Sequence, residues 1–171
     1  PTGLLPSPCY LLLRNPELML KGPALVDQVL GDQMPRFEHL AQLRYIEQIL
    51  MESLRLWPTA PAFGVKPIAD TLLAGRYPLA TRDTLLVLQP MLHRDPAVWG
   101  ENAEAFRPER FEPDTAEKLP PNAWKPFGNG ARACIGRPFA MQEAQLVIAM
   151  MLQRFDIVMD HPSYQLVIAQ A

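Results

Sequence analysis

The chain has 171 residues, of which 49% are hydrophobic and 20% charged, and its formal net charge is −2. This length supports one hydrophobic core, and the weakly acidic balance gives no electrostatic reason to expect a nucleic-acid partner. No apolar run approaches the roughly 20 residues that a membrane helix requires, so we expect no membrane span in these residues. The sequence has no internal repeat, and it predicts a single partial domain over residues 1–171.

The first predicted element is an apolar segment near the N-terminus. Leu4 to Leu13 is apolar on all sides, as the end of a buried helix would be. Pro6 and Pro8 would kink or break an ideal helix there, because proline lacks the backbone N–H that the helix interior needs.

Two longer helices are predicted next. Asn15 as N-cap and Pro16 at the first helical position start a helix that runs toward Leu30, interrupted by Gly22-Pro23 for no local reason. A second helix is predicted from Phe37 to Leu56, because its leucines and isoleucines recur at helical spacing and Pro58 follows.

The middle of the chain has a different pattern. Between Phe63 and Pro90, short alternating pieces such as Thr71–Leu73 and Thr84–Leu88 predict the strands of a small sheet. Residues 95–106 predict a short helix or turn, and residues 112–125 a polar, proline-rich loop.

A long helix with one apolar face is predicted from Arg137 to about Arg154. Phe155–Met159 and Tyr164–Ile168 predict two final strands. The expected fold class is therefore mainly α with a small β-sheet (α+β).

The most informative segment lies directly before the last helix. Residues 127–136 read Phe-Gly-Asn-Gly-Ala-Arg-Ala-Cys-Ile-Gly, and so surround Cys134 with glycines and the cation Arg132. Glycines let backbone N–H groups approach the sulfur, while the cation and the helix start favour the thiolate. This environment suits a thiolate that binds a metal such as a haem iron. The alternative is a buried structural cysteine in a glycine-rich turn.

The other cysteine, Cys9, is far from Cys134 in the sequence. A disulfide framework is therefore not expected, and a reducing compartment, the cytoplasm, is the simpler assumption. A zinc or thiol-redox protein is disfavoured, because no second cysteine or histidine cluster accompanies Cys134.

Three segments in order carry a resemblance to a known family. Phe127-x-x-Gly130-x-Arg132-x-Cys134-x-Gly136 resembles the haem-binding signature of the cytochrome P450 superfamily. Glu52-Ser53-Leu54-Arg55 resembles its ExxR helix motif, and Pro108-Glu109-Arg110-Phe111 resembles its PERF segment. The ordered trio carries the resemblance, since one ExxR alone is usually an exposed helical ion pair.

This resemblance implies a cofactor site and an activity. Cys134 would be the axial ligand of the iron in haem b (iron protoporphyrin IX), Arg132 would donate to a haem propionate, and Phe127 would pack near the sulfur, with Gly136 completing the cofactor site. The parent enzyme would be a monooxygenase that inserts one atom of O2 into a C–H bond. Its electrons would come from NADPH through a diflavin reductase, with FAD and FMN, that this chain does not contain.

The resemblance also implies a structural triad of Glu52, Arg55 and Arg110 that holds the loop beneath the haem. Arg107 is the alternative third partner. The alternative is that Glu52 and Arg55 form an ordinary exposed ion pair, but Leu54 and Leu56 beside Arg55 favour burial. We interpret His93 as structural rather than as a metal ligand.

Two further segments indicate a branch of the family. Residues 55–63 and 124–130 look like the haem domain of self-sufficient fatty-acid hydroxylases, in which the oxygenase is fused to a diflavin reductase. There Ala60 and Ala62 would line the substrate pocket and leave room for an alkyl chain, although an ordinary proline-rich turn is the alternative. Trp124 is expected to be ordinary packing.

The resemblance extends over the C-terminal part of the family's catalytic domain, starting within its long distal helix. The acid-and-alcohol pair that delivers protons would precede Thr2, so no catalytic residue is assigned. The alternative function is a truncated homologue without activity that keeps a structural or binding role. We expect the chain alone not to be a competent monooxygenase.

Overall fold

The computed structural model describes residues 3–166, and helices dominate their regular structure, which confirms the α+β class. Thr2 therefore lies outside the described residues. The α-helices are Pro6–Arg14 (α1), Pro16–Leu30 (α2), Arg44–Leu56 (α3), Gln89–Leu92 (α4), Pro96–Trp99 (α5), Pro113–Ala116 (α6) and Arg137–Arg154 (α7). Single 3-10 turns are formed by Phe37–His39, Pro108–Phe111 and Gly130–Arg132. The strands are Ala62–Val65 (β1), Thr71–Leu73 (β2), Tyr77–Leu79 (β3) and Leu85–Leu88 (β4).

The strands form two antiparallel pairs rather than the one small sheet expected. β1 pairs with β4, so that Ala62 lies opposite Leu88, and β2 pairs with β3 between them in sequence. Ala74 and Gly75 both have positive φ, 52° and 71°, which produces the tight turn joining β2 to β3.

The main core surrounds α3, which packs against α1, α2 and α7. Val26 of α2, Ile49 and Leu50 of α3 and Ala149 of α7 are completely buried. The last five residues of α3, from Glu52 to Leu56, are buried on every side. The helix α3 therefore lies in the middle of the molecule although its end carries an ion pair.

The prolines near the N-terminus do not break their helices. Pro6 and Pro8 both fall in the first turn of α1, where backbone N–H groups have no partner inside the helix. Pro23 lies inside α2, which continues through it. A side chain at the buried Gly22 would come within 3.1 Å of Leu152 Cδ1, so glycine lets α2 approach α7 closely.

The predicted helix over residues 37–56 is wrong in its first part. A 3-10 turn occupies residues 37–39, and α3 begins at Arg44. The amide of Gln145 on α7 donates to the carbonyls of Leu40 and Leu43, at 2.9 and 3.0 Å. These carbonyls therefore have a partner from α7, a contact that apolar spacing does not reveal.

The helix predicted over residues 137–154 is confirmed. Asp95 caps α5 by accepting a hydrogen bond from the Ala97 N–H at 2.9 Å, which confirms the short helix predicted after it. The predicted loop of residues 112–125 contains one helical turn, α6. None of the described helices combines the length and the apolar character that crossing a membrane would require.

The strand predicted for Phe155–Met159 is wrong. Among residues 3–166 no strand lies beside its alternating apolar side chains, and Phe155 and Val158 are exposed. Residues 164–166 also form no strand, and the rest of the segment predicted from Tyr164 to Ile168 lies outside the described residues.

Candidate functional site

The Cys134 loop, residues 124–136, leads to α7 from a small hydrophobic cluster formed by Trp99, Ala103, Phe111 and Ala123. Gly128 and Gly130 both have φ of +67°, a left-handed conformation that other residues adopt at a cost. The loop then closes on itself, because the Cys134 N–H donates to the carbonyl of Phe127 at 2.9 Å. These turns bring the backbone of the cysteine back to Phe127, the residue that precedes the glycines.

The sulfur of Cys134 lies at the N-terminal end of α7. Gly136 is the N-cap of this helix, and a side chain there would lie 3.8 Å from the sulfur. The positive end of the helix dipole favours an anion at this place, so the position suits a thiolate. Cys134 and Cys9 are both free, and Cys134 is the exposed one.

The exposed Cys134 lines a cleft of about 540 Å³. Phe127 and Arg132 line this cleft together with Cys134, so three of the predicted cofactor residues meet there. Ala60 lines it from the segment after α3. Ala62 is the first residue of β1 and is not among the lining residues.

Much of the rest of the lining is apolar, and the sequence did not single it out. These residues come from the N-terminal turn, the end of α3, β1 and α7, and they include Leu4, Leu54, Phe63, Val65 and Ala140. Gln89 also lines the cleft, and its side-chain oxygen has no hydrogen-bond partner among the described residues. Because these residues are scattered over the chain, only the fold brings them together.

Glu52 and Arg55 form a completely buried ion pair at the end of α3. Arg55 Nε and Nη2 donate to the two carboxylate oxygens of Glu52 at 2.7 and 2.8 Å, and both side chains are 0% exposed. The remaining Arg55 N–H groups donate to the carbonyls of His93, Ala103 and Ala105. All five guanidinium donors are therefore used, and they hold the chain between α4 and the Pro108–Phe111 turn.

Arg110 is the third member of this cluster by its side chain, since its Nε lies 3.5 Å from Glu52 Oε1. Its other nitrogens donate to the carbonyls of Trp99 and Asn102 at 2.7 Å. Arg107, the alternative third partner, contributes through its backbone. Its backbone N–H, not its guanidinium, donates to Glu52 Oε1 at 2.8 Å.

Burial raises the pKa of the Glu52 carboxyl, and the hydrogen bonds and charge of Arg55 oppose that rise. The ionised form of Glu52 therefore depends on its arginine partner. Desolvation by burial also lowers the pKa of His93 to about 4, helped by the charges of Arg55 and Arg94. His93 is thus neutral in the folded protein at physiological pH.

His93 and Trp124 make contacts that fit the packing roles expected for them. The His93 ring bonds the backbone at Arg55 and Lys125. Trp124 donates to the carbonyl of Met51 at 3.1 Å and packs edge-on against Phe127. The guanidinium of Arg137 lies 5.4 Å from the Trp124 ring centroid, which places a cation above the loop's aromatic pair.

Replacing Gly130 by alanine should destabilise the Cys134 loop through its backbone alone. The new methyl group would meet nothing within 4 Å, but φ of +67° costs a side-chain-bearing residue about 1–2 kcal/mol. Gly136→Ala is the control, because its φ of −82° is ordinary and its nearest neighbour is 3.8 Å away. Urea unfolding of both variants measures the difference, and equal losses of stability would contradict the prediction.

The residues of the cleft fit a haem better than a metal ion held by protein ligands alone. Among residues 3–166, no group of three or more histidine, cysteine or acidic side chains could hold a metal ion. One exposed thiol with an arginine and apolar walls instead suits a metal whose other ligands belong to a macrocycle with acidic substituents.

The described fold is mainly helical, presents one exposed cysteine thiol at a helix N-terminus in a largely apolar cleft, and contains a buried Glu–Arg network. The family model for cytochrome P450 matches residues 9–168. The chain therefore belongs to the cytochrome P450 family, as its three ordered segments predicted.

Relatives of this chain are P450s joined to a reductase or described as self-sufficient. It is 50% identical over 169 residues, 99% of the chain, to bifunctional cytochrome P450/NADPH–P450 reductase 1 of Bacillus subtilis. It is 51% identical over 165 residues, 96% of the chain, to a self-sufficient cytochrome P450 monooxygenase of Aspergillus terreus. The chain spans 16% of the length of each of these two relatives.

Proposed function

We propose that this chain is part of the haem domain of a cytochrome P450 monooxygenase, with haem b in the cleft and Cys134 as its protein ligand. The observation that carries the proposal is the single exposed thiol at the N-terminus of α7, in a cleft of about 540 Å³. The family membership supports the same assignment.

Each loop residue then has a role toward the cofactor. Arg132, which lines the cleft, donates to a haem propionate, and Phe127 packs its ring beside the sulfur. Gly136 leaves the sulfur free of a neighbouring side chain. When bound, the haem supplies the activation of O2 and the insertion of one oxygen atom into a C–H bond. The Glu52–Arg55–Arg110 network acts structurally, by holding the chain before the loop.

The lining of the cleft supports an apolar substrate class. Leu4, Leu54, Phe63 and Val65 offer apolar contacts, and Ala60 leaves room for a chain-like molecule. An apolar substrate such as a fatty acid fits this surface. Ala62 takes part in β1 pairing, so its effect on the substrate would be indirect.

The electron donor we propose is a diflavin reductase, fused or separate, that carries FAD and FMN and takes electrons from NADPH. The printed names of the relatives support this partner, since they join a cytochrome P450 to an NADPH–P450 reductase. Two unpaired cysteines agree with the reducing cytoplasm as the location.

The test of this function is a spectrum of the purified chain loaded with haem. We expect the reduced carbonyl complex to show the strongly red-shifted band that a thiolate ligand causes, because the anionic sulfur donates electrons to the iron. A band at the position typical of a nitrogen ligand, or no stoichiometric haem binding, would contradict the proposal.

A further inference from the structure

His93 lies where three segments of the chain meet, and it is completely buried. Its Nδ1 lies 3.1 Å from the carbonyl oxygen of Arg55, at the end of α3. Its Nε2 accepts a hydrogen bond from the Lys125 N–H at 2.9 Å. Its own carbonyl accepts from Arg55 Nη1 at 2.7 Å. The ring thus bridges the buried ion pair and the Cys134 loop.

These contacts define the protonation state of the ring. The backbone N–H of Lys125 is a donor only, so Nε2 must carry no proton. The carbonyl of Arg55 is an acceptor only, so Nδ1 must carry one. A neutral imidazole with its proton on Nδ1 satisfies both bonds, whereas the protonated ring would set an N–H against the N–H of Lys125.

The bond to Lys125 bears on the position of the thiol. Lys125 is followed by the buried Pro126 and by Phe127, whose carbonyl accepts from the Cys134 N–H at 2.9 Å. Only Pro126 therefore separates Lys125, which is bonded to His93, from Phe127, which is bonded to Cys134. Trp124, which directly precedes Lys125, is also attached to α3, through its hydrogen bond to the Met51 carbonyl.

We propose that His93 is a positioning residue that clamps the Cys134 loop to the end of α3 only while its imidazole is neutral, so that acid releases the loop. The consequence for haem retention rests on the function proposed above, whereas the clamp itself does not.

The charges around the ring favour the neutral form. The cations that act on it are Arg55 from α3 and Arg94 from the ring's own segment. The carboxylate of the cluster, Glu52, is already bonded to Arg55 and Arg107. Burial lowers the pKa of His93 from 6.5 to about 4. Between these two pH values the ring of the released loop is protonated, whereas the ring of the clamped loop stays neutral.

The opening equilibrium of the loop should therefore rise by up to roughly tenfold for each pH unit between 6.5 and about 4. Above pH 6.5 both states are neutral and the clamp is at full strength. The stabilisation is present at neutral pH and is lost on acidification, which is the sign for a base whose folded pKa is depressed.

The first measurement is nitrogen NMR of the imidazole rings in the chain without haem. We expect the His93 ring to show the tautomer protonated on Nδ1 and no titration near pH 6.5. A His93 ring that is protonated on Nε2, or that titrates near pH 6.5, would overturn the proposal.

The second measurement is hydrogen exchange of the Lys125 amide across this pH range, corrected for the intrinsic rate. The Trp57 amide, bonded to Ser53 on α3, is the internal reference. His93→Gln keeps one acceptor and one donor but does not titrate, so Lys125 should stay protected at all pH values. His93→Leu removes both bonds, so protection should be lost even at pH 7. His161→Gln is the matched control and should behave as the unchanged chain.

A pH profile shared by His93→Gln and the unchanged chain would show that another group causes the release. Full protection of Lys125 in folded His93→Leu would show that the bond holds nothing. If His93→Leu does not fold, the glutamine variant and the NMR result still decide. Haem release from loaded chains, at a lower pH for His93→Gln than for the unchanged chain, then tests the functional consequence separately.

Discussion

Cys134→Ser should abolish the red-shifted band of the reduced carbonyl complex, because serine keeps the shape of the loop but not its anion. An alcohol is un-ionised at neutral pH and is a far weaker donor to iron than a thiolate. Haem affinity should also fall by at least about tenfold, which is about 1.4 kcal/mol. The measurement is a haem titration followed by the reduced carbonyl spectrum.

Cys9→Ser is the matched control for that experiment. Cys9 is half-buried in α1 and packs against the main core, and burial raises the pKa of its thiol, so it is no candidate for a metal-binding thiolate. This variant should keep the band unchanged. Retention of the red-shifted band in Cys134→Ser, or its loss in Cys9→Ser, would refute Cys134 as the ligand.

The Cys134 loop could be predicted from sequence because its determinants are local. Gly128 and Gly130 set the turns, and the helix that begins at Arg137 follows within a few residues. The walls of the cleft could not be predicted in this way. Phe63 and Gln89 reach it only through the pairing of β1 with β4 and the turn that follows, contacts that no local pattern encodes.

The buried ion pair shows the same division between local and distant information. Three-residue spacing on a helix predicted that Glu52 and Arg55 would meet, and the neighbouring leucines indicated burial. The carbonyl partners of Arg55 are 38 to 50 residues further along the chain, so the sequence could not show that the guanidinium would be fully satisfied. The role of His93 as a bridge was missed for the same reason.

The errors in the secondary structure also have tertiary causes. The apolar spacing of residues 37–43 fits a helix, yet these residues form only a 3-10 turn, and Gln145 of α7 adds a hydrogen bond to two of their carbonyls. The alternation in Phe155–Met159 fits a strand, but a strand needs a neighbour to complete its hydrogen bonds. Gly22 looked like an interruption of α2 because the Leu152 side chain that it accommodates lies on another helix.

Arg55→Ala should strongly destabilise the fold. The substitution leaves the Glu52 carboxylate buried with only the Arg107 N–H and the more distant Arg110, and it strips the carbonyls of His93, Ala103 and Ala105 of their donor. Removing one partner of such a buried pair costs about 3–5 kcal/mol. That is a large share of the roughly 5–15 kcal/mol that stabilises a typical domain.

Arg94→Ala provides the comparison, because it makes the same substitution in an ion pair with nearly the same Nε–O distance but a different environment. Arg94 Nε lies 2.9 Å from Glu104 Oε2, against 2.7 Å for Arg55 and Glu52, yet the side chains are 22% and 76% exposed. Water screens such a pair, so its loss should cost about 0–1 kcal/mol. Urea unfolding of both variants measures the difference. Equal midpoints for the two variants would show that burial of the Glu52–Arg55 pair does not determine its contribution.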